Sequence, residues 1–229
     1  DSIRVGGVPP GASRGGSSII TLQFAYTLRR AADLMQRYGR AAMAANYNRL
    51  ADQLCGETYR RCFDAEKGLM ADTPEKNAFS QHANILAILT DAVPASGQVD
   101  LLDKVMTEKS LTQATYYFKF YLFEAMRKTG TGNRFLAQLK PWYDMLDIGL
   151  TTFAENPEPT RSDCHAWSAS PVYELLSLTA GIEPAAPGFR EIRIRPNPGH
   201  LNQVQASVPL PAGMVTLHWK KEKKGSSAV

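Results

Sequence analysis

The sequence predicts a mainly α-helical chain of antiparallel helical pairs that gives way, after Pro187, to a short β-strand-rich segment. Three observations carry this reading. Apolar residues recur at three- and four-residue spacing through most of the first 178 positions; short polar or glycine-containing breaks separate those runs; and the pattern switches to strict alternation near the C-terminus.

The stretch from Gly6 to Gly16 reads as loop, with Ser17 or Ser18 placed to cap the helix that follows. That helix runs to about Tyr38 with Ile20, Phe24, Leu28, Ala31 and Met35 as its apolar stripe, and Gly39 stops it. A second runs from about Ala41 to Phe63 on Met43, Tyr47, Leu50, Leu54 and Thr58. Further helices are predicted over 79–89, 99–106, 112–127, 134–146 and 168–178, the last ended by Gly181. Seven helices on mostly short connections argue for antiparallel pairs. Without 34- or 40-residue self-similarity a superhelical array is disfavoured, which leaves a closed or curved ring of hairpins whose loops converge on a cavity at one end. Beyond Pro187, Ile192 and Ile194 alternate with charged residues, Val204 and Val208 follow, and Val215, Leu217 and Trp219 alternate after Gly213. The expected division is a helical domain over 1–185 and a β segment over 186–229.

A hydrophobic fraction of 44% and a charged fraction of 21% argue against disordered and fibrous classes. No stretch approaches the roughly 20 apolar residues of a membrane-spanning helix, and Asp1-Ser2-Ile3-Arg4 lacks the apolar core of a signal peptide. The chain starts without Met, which reads as processing or as a cut from something longer. Much of the net charge of +4 sits in Lys220, Lys221, Lys223 and Lys224 beside Glu222. With no aromatics interleaved to stack bases, that tail reads as a solvated end rather than a nucleic-acid arm, and neither nucleic acid nor membrane is an expected partner. Cys55, Cys62 and Cys164 form no CxxC pattern and read as buried thiols. His82, His165, His200 and His218 are scattered without ligand-like pairing, so no metal is expected, and glycine-rich residues 6–16 lack the Gly-Lys-Ser/Thr ending of a phosphate loop.

The chemistry-bearing stretch is Gly149 to Pro171, which packs Glu155, Glu158, Asp163, His165 and Trp167 between two helices and is stiffened by three prolines. A rigid loop with ionisable and aromatic groups suits a carbohydrate site: an aromatic face covers sugar C–H surface, fixed donors bind hydroxyls and a carboxylate acts on water or the anomeric carbon. Each residue also has a plainer reading. Glu155 and Glu158 can be solvated loop charges, His165 or Asp163 can cap the next helix, and Trp167 can be core.

Thr-Thr-Phe-Ala-Glu at 151–155, followed by Ser-Asp-Cys-His-Ala-Trp-Ser-Ala-Ser-Pro at 162–171, resembles the bacterial α-L-rhamnosidases of glycoside hydrolase family 78 near the end of their six-hairpin barrel. Gly-Gly-Val-Pro-Pro-Gly-Ala at 6–12, Phe-Ser-Gln-His-Ala-Asn at 79–84 and Phe-Arg-Glu-Ile-Arg-Ile-Arg-Pro at 189–196 are similar in the same order, the last resembling the entry to that family's C-terminal β-domain. The resemblance implies the C-terminal half of an (α/α)6 toroid, with no cofactor, acting by inversion on terminal α-L-rhamnose of an oligosaccharide or glycoside. It slightly favours a periplasmic or secreted location. Inversion uses two carboxyl groups roughly 6.5–9.5 Å apart with a water between base and sugar. Glu155 matches the family's general base, His165 its sugar-contacting histidine, and Trp167 would be an apolar wall toward the deoxy sugar's methyl group. Ala154 stands where a Trp is common.

Beyond the resemblance, His82 is a further candidate for the cavity, while Tyr116 and Tyr117 read mainly as core. The family's acidic cluster, with the general acid, lies on earlier helices that no segment here resembles. The chain is therefore expected to depend on sequence it lacks, and to expose helical faces through which it could self-associate. Two other readings compete: another (α/α)6 sugar-active enzyme, and a non-catalytic carbohydrate-binding helical module.

Overall fold

The computed structural model describes residues 15–157, 160 and 162–222. The loop assigned to Gly6–Gly11, Glu158, and Lys223 and Lys224 of the tail lie outside the described residues. The chain divides into two compact units at Thr129–Gly130.

In the first unit α1 (Ser18–Arg37) and α2 (Ala41–Cys62) pack along each other as a hairpin. Ser17 caps α1, its hydroxyl accepting from the Ile20 N–H, and Gly39 takes the left-handed φ of +70° that the turn requires. The helices form where predicted, but their buried faces differ from the predicted stripes. Alpha-helix α1 buries Leu22, Ala25, Leu28 and Ala32, whereas Ile20 and Phe24 are 48% and 49% exposed. On α2 the buried positions are Ala44, Ala51, Cys55, Thr58 and Cys62, while Met43 and Leu50 are exposed. Most of the packed face of α2, and Ala25 and Ala32 of α1, are small residues that let helix axes approach, beside Leu22 and Leu28; Ile20, Phe24, Met43 and Leu50 lie on a second, exposed stripe.

Two antiparallel strands, β1 (Phe63–Asp64) and β2 (Leu69–Met70), lead to α3 (Gln81–Leu89), in which every residue except His82 is buried. This helix starts two residues later than predicted because Phe79 bridges Ala71 and Ser80 caps the helix through the Ala83 N–H. The Ser80 hydroxyl also donates to the buried Asp72 carboxylate at 2.6 Å, and burial pushes the Asp72 pKa up. Asn84 accepts from the Met70 N–H and donates to the Met70 carbonyl, locking β2 to α3. Helix α4 (Ala95–Thr107) begins four residues early, after Pro94, and α5 (Tyr116–Thr129) four residues late, because Thr112 pairs with Ser80 instead.

In the second unit the predicted helix over 134–146 is divided: a 3₁₀ segment, Gly132–Gln138, is followed by α6 (Lys140–Asp147). Pro141 fits the first turn of a helix but cannot donate within a continuous one, so the break falls there. After a long loop, α7 (Ser170–Glu174) continues as a π-helical turn, Leu175–Thr179. Strand β3 (Ile182–Pro184) pairs antiparallel with β4 (Ile192–Ile194), and β5 (Gln203–Leu210) with β6 (Gly213–Lys220). The register places Val204, Ala206 and Val208 opposite Trp219, Leu217 and Val215, so one hairpin face is apolar and packs with Ala180 and Ile182. The architecture is thus mainly α, ending in a short β segment, as expected.

Candidate active site

The loop between α6 and α7 is folded back on itself by main-chain bonds. The Glu155 N–H donates to the Ser162 carbonyl at 2.9 Å, the His165 N–H donates to the Phe153 carbonyl at 2.7 Å, and the Thr152 hydroxyl donates to the Asp163 carbonyl. Residues 152–155 therefore run beside 162–165, and this brings together two side chains ten positions apart. His165 Nε2 lies 3.7 Å from Glu155 Oε1, outside ordinary hydrogen-bond length but well within electrostatic reach. Glu155 is only 6% exposed, so it is not the solvated loop charge of the plainer reading. The His165 Nδ1 atom is buried with no partner among the described residues, an unmet hydrogen bond of the kind a ligand hydroxyl can satisfy.

The Trp167 ring stands 4.6 Å from the His165 ring, tilted at 45°, and is 48% exposed. It is not core; it offers an aromatic face to solvent. It sits in the 3₁₀ turn Ala166–Ser168, which is pinned to α6 where the Trp142 indole N–H donates to the Ser168 carbonyl at 2.7 Å. Neither His165 nor Asp163 caps α7 through its side chain. Ala154 is buried, and Cys164 is exposed, contrary to the buried thiol expected there: the backbone is extended at His165, so adjacent side chains point to opposite sides and His165 takes the more buried one.

The loop thus assembles Glu155, His165 and Trp167. The other candidate, His82, belongs to the first compact unit. There it occupies the first turn of α3 with its ring 4.3 Å from that of Phe118, and burial pushes its pKa down to about 4, leaving it neutral at pH 7. Tyr116 is core and Tyr117 exposed. Among the described residues no cluster of three or more His, Cys, Asp or Glu side chains is placed to hold a metal ion.

With this geometry, the similarities of the chain bear directly on the site. Residues 181–228 match the family described as the bacterial alpha-L-rhamnosidase C-terminal domain. The family 78 rhamnosidase of Bacillus sp. GL1 superposes with a TM-score of 0.82 at 24% identity, covering 91% of this chain and 24% of that one. The chain shares its fold with family 78 rhamnosidases. The α-L-rhamnosidase of Dictyoglumus thermophilum gives 0.72 at 20% identity over 88% of this chain and 24% of that one. A rhamnosidase from Klebsiella oxytoca, solved with rhamnose bound, gives 0.63 at 22% over 72% and 34%. The chain therefore spans about a quarter to a third of these enzymes. A comparison with curated proteins gave no match.

Sequence reasoning missed what holds the site: Thr152, Phe153 and Ser162 act mostly through main-chain atoms, which leave no mark on residue type. The one available signal was the Thr152 hydroxyl, which donates to the Asp163 carbonyl.

Proposed function

We propose that this chain is the C-terminal part of an inverting glycoside hydrolase that releases terminal α-L-rhamnose from glycans or glycosides. The family match, the shared fold and the sugar-bound relative support a rhamnosidase-type hydrolase; the observation that carries the site is the buried Glu155 carboxylate set beside His165 and the exposed Trp167 ring. Glu155 is the general base that takes a proton from the attacking water. His165 hydrogen-bonds a sugar hydroxyl, and Trp167 covers the apolar flank of the ring. His82 is a further sugar contact. The general acid stands outside this chain, on earlier helices of the six-hairpin toroid, whose C-terminal half occupies residues 1–185. Residues 186–229 begin the β-domain, with the β3–β4 ladder spanning the junction.

A base without its acid leaves the departing alkoxide unprotonated, so the isolated chain is expected to release little p-nitrophenol from p-nitrophenyl α-L-rhamnoside. Enzyme-like turnover by the chain alone, abolished in Glu155→Gln, would show that the acid lies within it and overturn this division of labour. The half-exposed Trp167 also suits a non-catalytic sugar-binding module; in that case Glu155→Gln would leave every measurable property of sugar recognition and release unchanged.

A further inference from the structure

A cleft of about 470 Å³ opens between the first turn of α1 and the last turns of α2, within the range of small-molecule sites. Ser17 and Thr21 line it from α1, Thr58 and Arg61 from α2, and Leu54 and Pro74 give it apolar surface. Thr58 is the unusual member of that lining. It is only 6% exposed, yet its hydroxyl makes no hydrogen bond among the described residues. Thr21, Thr90 and Thr129 each donate to the carbonyl four residues back; Thr58, in the middle of a helical turn, does not. A hydroxyl taken out of bulk water without a replacement bond is a net cost to the fold, and the side on which this one can be satisfied is the cleft.

The remaining groups of the lining decide what fits. Only Glu57 and Arg61 are charged there, and they are paired with each other: Arg61 Nε donates to Glu57 Oε1, which Arg60 Nη2 also reaches at 2.6 Å. One charge of each sign, already joined, gives the cleft no strong preference for an ion. Arg61 keeps the N–H groups of its two terminal nitrogens as donors. The Ser17 hydroxyl accepts from the Ile20 N–H and keeps its proton to donate. Thr21 Oγ1 donates to the Ser17 carbonyl at 2.7 Å and keeps its lone pairs to accept. Donors and acceptors of this kind, around the apolar surface of Leu54 and Pro74, suit a neutral ligand rich in hydroxyls.

We propose that the α1–α2 cleft is an accessory binding site for a neutral pyranose, one sugar unit of a glycan. Thr58 and Arg61 hydrogen-bond its hydroxyls, and Leu54 and Pro74 lie against its C–H face. That the ligand is a sugar rests on the glycosidase reading above; the choice of a neutral, hydroxyl-rich ligand over an ion rests on the lining alone. The cleft belongs to the first compact unit and shares no residue with the loop that carries Glu155, so it holds a sugar without acting on it.

Titration of the chain with D-glucose, D-galactose and L-rhamnose, followed at the Thr21 and Thr58 methyl resonances, tests this. At least one of the three is expected to give saturable shifts at both methyls. Its Kd, read at the Thr21 methyl, is expected to weaken at least about tenfold in Thr58→Val and to be kept in Thr58→Ser. Valine has the shape of threonine, and the substitution removes no hydrogen bond made within the described residues, so loss of folding does not confuse the outcome. No saturable shift with any of the three sugars, or a Kd unchanged in Thr58→Val, would overturn the proposal. Rhamnose binding at the Glu155 loop is read separately at the His165 ring, so the two readings fail independently.

Discussion

Glu155 and His165 show how a residue's chemical character is set by its surroundings. On a flexible loop the carboxylate would be an ordinary solvated acid; folding the loop by main-chain bonds buries it and turns an imidazole toward it at 3.7 Å. On the proposal that Glu155 is the general base, the chain joined to the preceding barrel helices of a family 78 enzyme should lose about 10²- to 10⁴-fold in kcat on Glu155→Gln, with KM little changed, because a base acts in the transition state rather than in binding. His82 makes a second prediction. Its folded pKa of about 4 lies below the usual histidine value of 6.5, so the unfolded chain binds the proton more readily, and stability is full above pH 6.5 and falls as pH drops toward 4. The loss amounts to about 3 kcal/mol, visible in denaturant titrations at pH 7 and pH 4 as a difference that His82→Gln removes. At this scale the sequence showed the chemical groups of the loop but not the main-chain bonds that gather them, because a bond between an N–H and a carbonyl leaves no mark on residue type.

Among the elements, α3 depends on its start. Ser80 both caps the helix and gives the buried Asp72 its hydrogen bond, so Ser80→Ala should cost about 2 kcal/mol, more than a cap alone, in chemical denaturation. Gly181 is the corresponding point of the β segment. Its φ is +71°, and a Cβ there would lie 2.0 Å from the Arg195 carbonyl oxygen, so Gly181→Ala should destabilise the second unit by at least about 2 kcal/mol and shift resonances of Ile182 and Ala206. Helix and strand positions were legible because hydrophobic period and glycine stops are local signals. The packed faces of α1 and α2 were not, since both helices carry two apolar stripes and only the tertiary structure selects between them. Pro141 was a legible break that periodicity alone ran across.

For the molecule as a whole, the uncovered stripes acquire meaning. Ile20, Phe24, Met43 and Leu50 in the first unit, and Leu146, Ile148, Val172 and Tyr173 in the second, are large apolar side chains open to solvent. A piece of a longer helical ring would leave such faces open, in keeping with a chain that spans about a quarter of the Bacillus and Dictyoglumus enzymes. The shared fold extends across nine-tenths of this chain in the Bacillus comparison, so most of the elements on either side of the loop have counterparts in that structure even where identity is low. The architecture ties the loop to α6: the Trp142 indole holds the turn that presents Trp167, and Trp142 and Met145 are the buried residues of that helix. The most direct test of the central claim, a rhamnose-binding half-site built on Glu155, His165 and Trp167, is titration of the chain with L-rhamnose while following the Trp167 indole and His165 ring resonances and the melting temperature. Saturable shifts at both rings, with a rise of about 3 °C at tenfold excess over Kd that is lost in His165→Ala, are the predicted result. Unmoved rings, or a thermal rise that His165→Ala retains, would contradict it.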